Sequence, residues 1–74
     1  MTLGAELRRA RKISGMSQEK LAFAAELDRS YVSMIERDIS SPTVFTLMRI
    51  CKALRVRASE IIQRIESQNA KRQN

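Results

Sequence analysis

Within LDRSYVSMIER, residues 27–37, the side chains able to make directed polar contacts gather on one side. At about 100° per helical residue, Val32, Ile35 and Glu36 share one face. Ser30, Ser33, Met34 and Arg37 share the opposite face, and Arg29 and Tyr31 flank it. A surface that only had to stay soluble would more usually carry Glu and Lys. Small hydroxyls beside a guanidinium and a phenol suit the reading of a patterned polar surface at close range. Bond-making chemistry finds little support. The chain has no His, so no His-activated nucleophile and no His-based metal site is expected. Cys51 sits in the apolar pattern LMRICKAL, where a buried structural thiol is the simpler reading. Gly4 and Gly15 are the only glycines, which excludes a phosphate-cradling glycine loop. The expectation is a binding protein without cofactor or metal.

A chain of 74 residues has room for one domain with a small core. Its single Cys permits no internal disulfide and suits a reducing, cytoplasmic compartment. The longest apolar run, Leu21–Ala25, is far below the roughly 18 residues of a membrane span. The opening MTLGAELRRARK has neither the apolar core nor the cleavage site of a secretory signal. With 14 Lys and Arg against 8 Asp and Glu, the net charge is +6, which points to a polyanion, most commonly nucleic acid. The charge is unevenly spread. RRARK at residues 8–12 and the chain from Arg49 onwards hold the surplus. Residues 26–38 set Glu26, Asp28, Glu36 and Asp38 against only Arg29 and Arg37.

Apolar residues recur at helical spacing throughout, and the punctuation predicts five helices. The first covers about Thr2–Ser14, with Leu3, Leu7 and Ala10 inward, and stops near Gly15. Ser17 caps the second, with Met16 stapled onto Leu21; Asp28 caps the third, with Leu27 stapled onto Val32. Thr43, behind Pro42, caps a fourth helix running to about Leu54. A fifth spans roughly Ala58–Gln68, followed by a polar tail, residues 69–74, expected to fray. The fold class is all-α, a compact five-helix bundle. The second helix ends near Glu26 and the third begins at Arg29. So short a connection forces a steep crossing, as in a helix-turn-helix, and small Ala22 and Ala25 allow close approach.

From Gln18 to Arg37 the chain resembles the Cro/C1-type (XRE-like) helix-turn-helix family, and the likeness extends over about Leu3–Ile65. GMSQEKLA resembles the opening of the family's second helix, SYVSMIER the end of its recognition helix, and SPTVFTLMRICKALRV its fourth helix. Within the family, LDRSYVSMIER is most similar to the controller proteins of restriction–modification systems. The family often places Gly where this chain has Glu26, Asp38 and Arg55. A non-glycine residue in left-handed backbone costs on the order of 1 kcal/mol. Either these turns take another geometry or the monomer gives up some stability.

The resemblance implies the lambda-repressor-like fold, a homodimer and a palindromic site on double-stranded DNA. The unit for binding and dimerisation would span residues 1–68, with no membrane role. A regulator of this type is also a candidate to contact RNA polymerase. The polar face of the third helix then has a purpose, because a recognition helix lies in the major groove with its N-terminal residues against base edges. Arg29 can offer two parallel donors to a guanine. Ser30 and Ser33 permit close approach, Met34 can pack on a thymine methyl, and Tyr31 can reach a base or the sugar–phosphate edge. Gln18, at the first turn of the second helix, is the expected phosphate contact and brace of the recognition helix. Arg37, Ser41 and Thr43 are further phosphate candidates. Glu36 faces the core, where an unpaired carboxylate would be expensive, and by resemblance it pairs with Arg11. That pairing, with Asp28 committed to its cap, would make the groove-facing surface less acidic than the count implies.

The apolar residues of the fourth helix, Phe45 aside, cover about 160° of its surface, more than one small core requires. Phe45, Met48, Ile61, Ile62 and Ile65 are therefore the expected dimer interface. Three alternatives stay open: a phage repressor, an antitoxin-type regulator, or an interaction module that keeps the fold without binding DNA.

Overall fold

The computed structural model describes residues 2–72, with side chains through Asn69. Its helices are α1 (Leu3–Ser14), α2 (Gln18–Ala25), α3 (Arg29–Glu36), α4 (Val44–Leu54) and α5 (Ala58–Arg72), with no strand among the described residues. The first four match the expected spans to within a residue or so. The fifth runs past the expected end at Gln68, because Gln, Ala, Lys and Arg continue a helix well and neither Gly nor Pro interrupts them. The helix thus continues through Arg72, into the segment read as a polar tail, and residues 73–74 lie outside the described residues.

Local chemistry explains the boundaries. The Thr2, Ser17 and Thr43 hydroxyls accept the backbone N–H groups of Ala5, Lys20 and Thr46 at 3.0–3.1 Å. Asp28 occupies the equivalent position of α3, but its carboxylate makes no cap hydrogen bond, contrary to expectation. Three helices end alike. The residue just past each, Gly15, Glu26 or Arg55, is left-handed, with φ of 76°, 57° and 60°. The next residue then donates back to a carbonyl in the last turn: Met16 to Arg11, Leu27 to Ala22 and Val56 to Cys51. Met16, Leu27 and Val56 pack on the core, so the hydrophobic contact of this helix ending offsets strain at Glu26 and Arg55. The turns keep the geometry that glycine would favour.

The α2–α3 pair packs on α4 and α1, and α5 closes the bundle against α1 and α4. Leu7, Leu21, Val32, Ile35 and Ile50 are buried at the centre, with Cys51 beside them. Burial pushes the Cys51 thiol up from its ordinary pKa, as befits a packing residue.

Candidate nucleic-acid interface

α3 divides as its periodicity predicts. Val32, Ile35 and Glu36 are buried; Arg29, Ser30 and Arg37 are exposed; Tyr31, Ser33 and Met34 are half-buried. Tyr31 rests partly on the core, which limits its freedom to reach outward. The helix thus presents an outward strip of short and polar side chains with Arg29 at its start.

Glu36 locks this strip in place. Arg11 donates to it through Nε (2.7 Å) and Nη2 (3.0 Å), a two-pronged pair almost closed to water. The Gln18 amide donates to the same carboxylate at 3.1 Å, and Arg11 Nη1 reaches the Met16 carbonyl at 2.9 Å. One carboxylate therefore ties the end of α3 to α1, to the α1–α2 turn and to the first turn of α2. The hydrogen bond to Glu36 raises the Arg11 pKa, with the Coulombic attraction adding to it and burial opposing it, so the guanidinium stays charged. Gln18 reaches the end of α3 from its place at the start of α2, where helix N–H groups favour an anion.

A second carboxylate has a role that the residue pattern did not signal. Asp38, left-handed at φ 61°, accepts from the Thr2 hydroxyl at 2.6 Å and from the Gly4 N–H at 3.0 Å. It caps α1 from across the chain. Gly4 is needed there, because a Cβ would collide with the Ile35 carbonyl and crowd the Asp38 carboxylate. The acidic residues of segment 26–38 thus have unlike commitments. Glu36 and Asp38 are drawn into internal contacts, whereas Asp28 is exposed and uncommitted to a cap. Asp28 stays extended at ψ 140° without turning its carboxylate onto the helix N–H groups.

The phosphate candidates differ among themselves. Arg37 folds back so that Nε donates to the Ser33 carbonyl at 3.3 Å. Ser41 is exposed. The Thr43 hydroxyl is engaged at its own cap and donates to Thr46 Oγ1 at 3.1 Å.

On their outer surfaces α4 and α5 leave Val44, Phe45, Met48 and Ile62 exposed, Phe45 by 79%. Ile65 is half-buried on the core. Ile61 corrects the expected interface. Only 4% exposed, it belongs to the core of the monomer, because Ile61 and Ile65, four residues apart, form the inward stripe of α5 and leave Ile62 outside. The residue pattern also gave no direct sign of a buried pair joining α1 to α5. Glu6, fully buried on α1, accepts from Arg64 Nε of α5 at 3.2 and 3.3 Å. Its place in the stripe of Leu3, Leu7 and Ala10 could have signalled a buried carboxylate needing a cation. Among the described residues no group of His, Cys, Asp or Glu could hold a metal ion, and no helix is long and apolar enough to cross a membrane.

A helix-turn-helix family model matches residues 7–61. The immunity repressor protein of Bacillus phage phi105 is 39% identical over 62 residues, 84% of this chain and 43% of that protein. The control protein C.BamHI of Bacillus amyloliquefaciens is 43% identical over 49 residues, 66% of this chain and 60% of that protein. The chain thus spans about half the length of these relatives. Among solved structures, the restriction–modification controller protein C.AhdI from Aeromonas hydrophila superposes with a TM-score of 0.78 at 37% identity. That superposition covers 80% of this chain and 89% of C.AhdI.

Proposed function

This chain belongs to the helix-turn-helix family of Cro/C1-type regulators, and on that premise we propose that it is a sequence-specific DNA-binding transcription regulator. It acts as a homodimer on a palindromic operator, as the controller protein of a restriction–modification system at its own promoter. The observation that carries this reading is the outward polar strip of α3, held by the Arg11–Glu36–Gln18 network. Nothing in the fold itself needs Arg29 or Ser30, which are exposed, and both suit a major groove. Ser33 and Met34 tune neighbouring base pairs, while Gln18, Arg37 and Ser41 set register on the phosphates without reading sequence. Residues 1–68 form the working unit. Phe45, Met48 and Ile62 supply the two-fold contact, with Ile65 behind them, and so place two recognition helices about one turn of DNA apart, roughly 34 Å. RNA polymerase at the same promoter is the further partner.

The test is a binding-site selection with the wild type and Arg29→Ala. Arg29→Ala is expected to lose on the order of 1–3 kcal/mol per half-site and to relax preference at one guanine. Recovery of the same motif at equal stringency by both proteins would remove Arg29 as a base reader and shift specificity to Tyr31 or DNA deformability. Sedimentation of the wild type at micromolar concentration should give twice the mass of one chain, and a persistent monomer would sink the symmetric-operator reading. A phage-type repressor is the second reading, favoured by the 39% identity to the phi105 protein over 62 residues. Neighbouring genes separate the two: a methyltransferase and endonuclease, or a phage operon.

A further inference from the structure

The proposed interface uses α2, α3 and the turn before α4, and leaves the basic run of α1, residues 8–12, without a role. Arg11 is turned inward onto Glu36. Arg8 and Lys12, four residues apart, project together from the outer surface, and both are exposed. With Ala5, Arg9, Ile13 and Glu36 they line an open groove of about 420 Å³. The only acid in that groove is Glu36, whose carboxylate is buried and already accepts from Arg11 and Gln18. Among the described residues the ion pairs are Arg11–Glu36 and Arg64–Glu6, so Arg8 and Lys12 have no carboxylate partner. Two like charges at this spacing weaken a helix; the helix dipole favours Lys12 in the last turn of α1, but gives no reason for Arg8 one turn earlier.

Their position does. Glu36 is at once a wall of this groove and the acceptor for Gln18 at the start of α2. The α1 ridge therefore adjoins the place where the DNA-binding reading puts a phosphate. Resting on that reading, we propose that Arg8 and Lys12 form a second phosphate-binding track, gripping the duplex backbone next to the stretch held by α2. A Lys and an exposed Arg act there as point charges on phosphate oxygens. Such contacts raise affinity and fix register without selecting bases. Residues outside the helix-turn-helix thereby add to the grip of each protomer.

The test is a salt titration of DNA binding between 50 and 200 mM, on the selected operator and on an unrelated duplex. Three proteins are compared: the wild type, the double variant Arg8→Ala with Lys12→Ala, and a charge-matched control, Lys52→Ala with Arg57→Ala. The double variant should bind both duplexes more weakly, with the slope of log K against log salt shallower by about 0.9 for each phosphate no longer neutralised. It should select an unchanged motif, and Arg8→Lys should restore most of the Arg8 share. Circular dichroism matching the wild type shows that the fold is intact, as exposed positions allow. An unchanged slope overturns the proposal, as does an equal change in the control, which would make the effect one of net charge. An acidic protein partner captured through Arg8 and Lys12, with DNA binding unaffected, overturns it too. A wild type that binds neither duplex overturns the DNA-binding reading itself, which is a separate outcome.

Discussion

The half of the molecule built on α2 and α3 and the half built on α4 and α5 are secured in opposite ways. In the first, Glu36 is gripped by two nitrogens of Arg11 and one of Gln18, and Asp38 is gripped by Thr2 and Gly4. These are directional bonds between elements, nearly closed to water at the Arg11 pair. In the second, Glu6 is held by a single nitrogen of Arg64, whose side chain is 44% exposed; large apolar side chains stand outside the core in both halves, Phe23 and Ile39 in the first and Val44, Phe45, Met48 and Ile62 in the second. Hydrogen bonds fix angles, whereas apolar contact is non-directional and tolerates adjustment. A recognition helix must be set at one angle to be useful. A surface meant for self-association needs mainly area.

The largest expected effect tests the first half of that contrast. Arg11→Ala should destabilise the monomer by about 3–5 kcal/mol in urea unfolding, because it strands a buried carboxylate. Arg11→Lys should recover only part, since an ammonium cannot make the two-pronged contact. A loss below about 1 kcal/mol would mean that the network is not what holds α3. Arg64→Ala should cost less, about 1–3 kcal/mol, because the Arg64 side chain lying over Glu6 is itself 44% exposed, and its removal lets water reach the carboxylate and replace the missing donor. Equal losses for the two arginines would erase the distinction between the halves.

The left-handed turns sharpen it further. Glu26→Gly and Arg55→Gly should each raise stability by about 0.5–1 kcal/mol, since glycine relieves the backbone without removing a side-chain bond. Asp38→Gly should lower stability by about 1 kcal/mol despite the same φ, because it removes the carboxylate that caps α1. Thermal melts of the three variants decide this, and a gain for all three would deny Asp38 its role. The smallest effect on the fold is expected at Ile62→Glu. The monomer should keep its stability to within about 0.5 kcal/mol while self-association, followed by sedimentation, is abolished. Unfolding by Ile62→Glu would show that this residue serves the core instead.

Much of this protein was legible from residue order alone. The starts of α2 and α4 follow from Ser17 and Thr43, and the division of α3 into Val32, Ile35 and Glu36 against Ser30 and Arg37 follows from its period. The core-facing position of Glu36 announced a partner, and the family resemblance pointed to Arg11. Those features depend on residues within one or two turns of each other, or on a pattern shared by many chains. Other features waited on the packing. The pairing of Glu6 with Arg64 joins residues from the first helix and the last. Asp38 became a cap for α1 only because α3 ends beside Gly4. Whether Ile61 or Ile62 faced a partner depended on how α5 is rotated against α1 and α4, since adjacent residues on a helix point about 100° apart. Local hydrogen bonding and periodicity determine where helices start, stop and turn their apolar side. Which part of that side a neighbour covers, and which long-range charge reaches a buried carboxylate, is decided only when the helices meet.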